Sequence, residues 1–154
     1  MTASKGSHSD NILEKAKRYC AYQERAVSEV MKKLHEWKVK ADNAGSIIEA
    51  LREENFLDDE RFATVFVSGK FSIKKWGRVK IRSELKLKKI PEEIIQKALG
   101  TINEEEYINA LIAIIKKKKS SLADPENPGQ RRKIINHALS KGYERHLIFK
   151  LLAS

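Results

Sequence analysis

Cysteine, proline and glycine are all scarce in these 154 residues: one, three and seven, respectively. Each scarcity excludes something. A lone Cys20 cannot close an internal disulfide, in keeping with a reducing compartment. No apolar run approaches the 18 residues that mark a membrane-spanning helix. The opening "MTASKGSHSD" lacks the apolar segment of a secretory signal. The expected location is therefore cytoplasmic, away from membranes, with residues 1–9 a frayed, disordered tail. Few chain breakers and no alternation of apolar and polar residues argue against sheets, so the expected class is all-α.

Catalytic patterns are missing as well. His8, His35, His137 and His146 form no H-E-x-x-H and no zinc spacing with cysteine. Neither a G-x-x-x-x-G-K phosphate loop nor a G-x-S-x-G turn occurs. Asp58 and Asp59 are adjacent, so on a helix they diverge by about 100° and share no site. Cys20, in "RYCAY", has no basic partner in a motif and reads as a packing residue. No enzyme activity, metal or cofactor is expected.

Positive charge is what the chain has in excess. Thirty-one Lys and Arg against 21 Asp and Glu leave a net charge of +10. A surface of that sign attracts polyanions, whether nucleic acid, acidic protein or anionic membrane, and net charge does not choose among them.

Local chemistry marks the helix starts. Asp58 has the place of an N-cap, followed by Asp59 and Glu60 at the positive dipole end, with Leu57 and Phe62 spaced as a hydrophobic staple. Asn103, Glu106, Ile102 and Tyr107 repeat the device. Ser46 with Glu49 fits a capping box, and Pro91-Glu92-Glu93 suits a first turn. Residues 40–46 and 120–130 read as loops.

The apolar anchors repeat. Val30-Leu34-Val39, Ile81-Leu85-Ile90 and Ile134-Ala138-Tyr143 each show a gap of four and then of five. A further apolar pair four apart follows each: Ile47/Leu51, Ile94/Ala98 and Leu147/Leu151. The pattern predicts three tandem three-helix repeats, at residues 10–57, 58–102 and 103–154, forming an elongated, curved stack. Units of this size are marginal alone and are expected to share apolar surface.

One helix concentrates the charge. Between Lys70 and Lys89 stand nine Lys or Arg residues and a single acid, Glu84. Placed on one helix from Trp76 to Lys89, the residues Lys75, Arg78, Arg82, Lys86 and Lys89 fall within an arc of about 80°, beside a core edge of Ile81 and Leu85. Such a stripe is either a solvated face with buried stems or a contact for an anionic partner. Arg131, Arg132 and Lys133 open the corresponding helix of the third repeat, and "KKKK" at 116–119 ends the helix before it. Trp76 reads either as a buried packing anchor, the favoured reading, or as an exposed face for stacking on a base. Trp37 has the same choice and reads as partly buried, and Gly77 as a point of close approach for another helix.

"FLDDERFATVFV" followed by "KKWGRVKIRSELKLKKI" resembles the RecX family of bacterial recombination regulators. Leu57, Asp58, Asp59, Arg61, Phe62 and Ala63 carry the likeness, then Trp76, Gly77, Ile81, Glu84, Leu85, Lys88 and Ile90. It extends over roughly residues 10–152; Lys89 stands where the family commonly has Gly. The resemblance implies a tandem helical repeat protein that binds the RecA–DNA filament, inhibits recombinase and ATPase activity, and modulates recombination and repair. A helical DNA-binding module acting independently of RecA is the alternative. The protein is expected to act as a monomer, with single- or double-stranded DNA as a further partner.

Overall fold

The structure, a computed structural model, describes the backbone of residues 2–153 and the side chains of residues 11–153. Residues 2–9, expected to be a frayed tail, have backbone that belongs to α1, and their side chains lie outside those described. The described residues form helices joined by turns, without strands. α1 (Thr2–Tyr22), α2 (Val27–Glu36) and α3 (Ala41–Glu53) form a first unit. α4 (Asp59–Ser72), α5 (Arg78–Leu87) and α6 (Glu92–Leu99) form a second, and α7 (Glu104–Ser120), α8 (Pro128–Ser140) and α9 (Arg145–Ala153) a third. Helices pack chiefly within their own triplet.

The gap of four and then five has a backbone cause. α2, α5 and α8 each end with a residue at positive φ: Lys38 (61°), Lys89 (61°) and Gly142 (97°). The amide after it reaches back to the carbonyl five residues earlier: Val39 to Leu34 (3.0 Å), Ile90 to Leu85 (3.1 Å) and Tyr143 to Ala138 (3.3 Å). The positive-φ residue itself donates to the carbonyl three earlier, at His35, Lys86 and Leu139. This is a Schellman ending, which brings the residue beyond the cap onto the apolar face of the helix it closes. Leu34, Leu85, Ile90, Ala138 and Tyr143 are buried. Asn55 (64°) ends α3 in the same way, with Phe56 N–H on Leu51 O.

The starts follow their caps. Asp58 accepts from the amides of Glu60 (2.9 Å) and Arg61 (3.2 Å), and Asn103 from that of Glu106 (2.9 Å). Asn127 caps α8, with Pro128 at its first position. Two expected loops are shorter than composition suggests. Residues 41–46 are the first turns of α3, because Ala44, Ile47, Ile48 and Leu51 line one buried face there and burial outweighs the local polar residues. Ser46 therefore caps nothing; its hydroxyl donates back to Asp42 O (3.3 Å). Likewise α8 begins at Pro128, inside the stretch expected to be loop.

The interior is divided. Ala16, Cys20, Val30, Leu34, Ala44, Ile47, Ile48, Leu51 and Leu57 form the first unit's core. Units two and three share one continuous core, from Phe62 through Ile81 and Leu85 to Tyr107, Ile134 and Ile148, and Ala26 of the first unit also belongs to it. Each fully buried Leu or Ile contributes about 1.5–3 kcal/mol. Burial also pushes the Cys20 thiol above its ordinary pKa, which suits packing and not nucleophilic attack.

Candidate functional site

The basic stripe of α5 is not the free row its spacing predicts. The helix begins at Arg78, with Gly77 as its N-cap, so Lys75 and Lys89 lie outside it in turns, each at positive φ (59° and 61°). Arg78 is held by two acids of the third unit: its Nε donates to Glu144 Oε2 (2.7 Å) and its Nη1 to Glu104 Oε2 (2.8 Å). Arg82 pairs with Glu92 of α6, and Lys86 approaches the same carboxylate at 3.8 Å. Arg78 and Arg82 are thus paired from within, and Lys86, still exposed, shares the Glu92 carboxylate with Arg82. The acids come from α6, α7 and the turn before α9, which no reading of α5 alone reveals.

Arg78 instead organises the junction of units two and three. Tyr107 Oη accepts from the Arg78 amide (2.9 Å) and donates to Glu144 Oε1 (2.5 Å). The guanidinium carbon lies 3.9 Å from the Tyr107 ring centre. Burial works against the Arg78 charge, Glu104 and Glu144 favour it, and the net shift of its pKa is upward. Burial, then the bond to Glu144, push the Tyr107 hydroxyl well above the ordinary phenol range. Nearby, Gly77 N–H donates to Lys141 O (2.7 Å), Val79 N–H to Gly142 O (2.9 Å) and Tyr143 Oη to Lys75 O (3.0 Å). The amides of Gly77, Arg78 and Val79, at the start of α5, are therefore occupied by the third unit.

Both glycines here are dictated by contact. A Cβ on Gly77 would lie 2.6 Å from Tyr143 N and still closer to the Gly142 carbonyl. One on Gly142 would meet Lys80, 2.7 Å from its amide. The expected close approach at Gly77 is real, although its partner is a turn and not a helix. Tyr107, Glu104, Glu144 and Gly142 escaped the sequence reading as functional positions. The staple spacing marks Tyr107 as apolar anchor only; its hydroxyl's role depends on Glu144, 37 residues away.

Trp76 is half-buried against the shared core, with Lys70 and Lys80 Nζ 4.8 and 4.4 Å from its ring centre. Trp37 is likewise half-buried, in T-shaped contact with Tyr19 (6.2 Å) and covered by Lys15 (4.4 Å). Neither indole is offered as an open stacking face.

Cations without an internal acid lie elsewhere. Among the described residues Arg131, Arg132 and Lys133, in the early turns of α8, make no ion pair, and Arg132 and Lys133 are exposed. Lys75, Lys117 and Lys118 also have no carboxylate partner. No group of His, Cys, Asp or Glu suited to a metal occurs among the described residues, and no helix there is long and apolar enough to cross a membrane.

Three-helix units in series, joined by turn-to-cap contacts, define a tandem helical repeat protein. Comparison gives the family. Residues 58–99 match the second three-helix domain of RecX. A protein named Regulatory protein RecX from Lactobacillus johnsonii is 35% identical over 111 residues, 72% of this chain and 41% of the relative. Another from Clostridium acetobutylicum is 32% identical over 141 residues, 87% of this chain and 65% of its own length. One from Prosthecochloris aestuarii is 29% identical over 149 residues, 95% of this chain and 94% of the relative. The first relatives given are thus longer proteins, of which the chain spans about two fifths. The crystal structure of RecX from Lactobacillus salivarius superposes with a TM-score of 0.86 at 21% identity, covering 96% of each chain. The chain belongs to the RecX family.

Proposed function

We propose that this protein binds the RecA–DNA filament and inhibits its recombinase and ATPase activity, thereby modulating recombination and DNA repair in the cytoplasm. The observation that carries the reading is the correspondence, over 95% of this chain, with a relative named as a regulatory protein. The mechanism is occupancy. Serial units touch several places along a helical polymer, and linked weak contacts raise avidity without one strong patch. Arg78 and Arg82 serve by fixing α5; of the predicted set Lys75, Lys86, Lys89, Arg132 and Lys133 are exposed, and these, with the partly exposed Arg131, meet filament acids or DNA phosphates.

The test is steady-state ATP hydrolysis by RecA on single-stranded DNA with increasing amounts of this protein. Turnover falls as the protein saturates the filament; unchanged turnover at saturation rejects the reading. A second reading, a monomeric DNA-binding module acting without RecA, is favoured by the unpartnered cations of the third unit. In that case DNA binds while ATP turnover stays untouched.

A further inference from the structure

In the third unit a cleft of ≈630 Å³ runs between α7 and α8 to the α4–α5 turn. Its floor is Ala110, Ala113 and Ile114; its rim carries Lys75, Lys117, Lys118 and Lys141, with His137 and Ser121 between them. No carboxylate lines it. Lysines at helix ends ordinarily compensate terminal carbonyls, but here serines take that part. Ser120, Ser121 and Ser140 hydroxyls donate to the carbonyls of Lys117 (2.7 Å), Lys118 (2.6 Å) and His137 (2.7 Å). Lys141 Nζ reaches the Lys74 carbonyl (3.2 Å) and keeps further donor capacity. Lys117 and Lys118 meet no acid at all among the described residues.

We infer that this cleft binds a nucleotide unit, its phosphate held by Lys117, Lys118 and Lys141 and its base laid on the Ala110–Ala113–Ile114 floor. The small side chains leave room for a flat ring, and converging cations without acids lower their mutual repulsion when an anion arrives. The positive field is felt by His137, whose pKa is lowered first by burial and then by Lys118 and Lys141. A bound phosphate opposes the second of these causes. The nucleotide belongs either to a single strand or to a free monophosphate. The single-strand arm rests on the DNA-binding reading above.

The experiment uses the full chain, with a dye-labelled oligothymidylate followed by anisotropy and the His137 imidazole followed by NMR. The strand is expected to raise the His137 pKa. Lys117→Gln with Lys118→Gln is expected to weaken binding about tenfold and to reduce the log–log salt slope by about 1.4, two phosphate contacts at about 0.7 each. Lys117→Arg with Lys118→Arg restores both, and circular dichroism checks that helicity is unchanged. Thymidine monophosphate shifting His137 while the strand does not bind assigns the cleft to the free nucleotide. Full-affinity strand binding by the glutamine variant, with His137 unmoved, overturns the cleft but leaves the DNA-binding reading standing. No response to either probe overturns both.

Discussion

The two junctions between units do the same job by different means. At the first, the cap of α2 is Ala26, whose methyl is fully buried in the core of the second and third units. Side chains make the remaining crossings: Val27 N–H to Asp59 Oδ1 (2.9 Å), Ser28 Oγ to Lys88 O (2.5 Å), Lys88 Nζ to Glu29 (3.0 Å) and Arg61 Nε to Glu24 (2.7 Å). At the second, the matching cap is Gly77, and backbone meets backbone across the Gly142 turn. Side chains adjust to each other at modest cost, whereas main chains in contact do not. The first junction also leaves Glu24 Oε1 buried without a hydrogen-bond partner among the described residues. An unsatisfied buried acceptor costs about 1–3 kcal/mol. The second junction is the rigid one and the first the more adaptable.

The largest test of this difference is Gly77→Ala. It forces a methyl into the Gly142 carbonyl and should lower stability by about 3 kcal/mol, at the upper end of overpacking effects. Urea unfolding measures the loss; a change within error would mean that the backbone contact is loose. The alanine already tolerated at Ala26 is the internal contrast.

Alkaline titration has an intermediate effect, confined to the second junction. Burial, then Glu144, push the Tyr143 hydroxyl up to about 12, and Tyr107 is shifted in the same direction. Folding thus favours the protonated phenols. Their contribution is complete below the unfolded phenol value of about 10 and is lost as the pH rises toward 12. The urea midpoint should fall over that window, and Tyr143→Phe should flatten the fall. An equally steep fall in the variant would remove Tyr143 from the account.

The smallest effect concerns the turns. Lys89 holds a positive φ that costs a non-glycine residue about 1 kcal/mol. Lys89→Gly should therefore stabilise the chain by up to about 1 kcal/mol, read as a raised urea midpoint. Gly142→Lys, by contrast, has no room beside Lys80. A destabilised Lys89→Gly variant would show that the lysine side chain holds the first junction together.

Much of this architecture is legible locally. Caps at Asp58 and Asn103 act over two or three residues, and the gap of four then five writes the Schellman ending into the sequence. Lys89 takes the left-handed φ of that same turn, a conformation that favours glycine. What escapes local reading depends on distance along the chain. Glu104 and Glu144 reach Arg78 from 26 and 66 residues away, so a row of cations that looks free on one helix is already engaged. Residues 41–46 look like loop because their composition is polar, yet the face shared by Ala44, Ile47 and Ile48 makes them helical. Within the cleft proposed for a nucleotide, the lysine run at 116–119 is visible in the sequence. Its convergence with Lys75 and Lys141 is not.

The divided interior has an evolutionary side. Replacements inside the first unit's own core are felt by few neighbours beyond it, so their effects add to those elsewhere instead of compounding. Drift is freer there. The fused second and third units, by contrast, must vary together, because a change at Tyr107 or Gly142 alters the ground on which α5 stands.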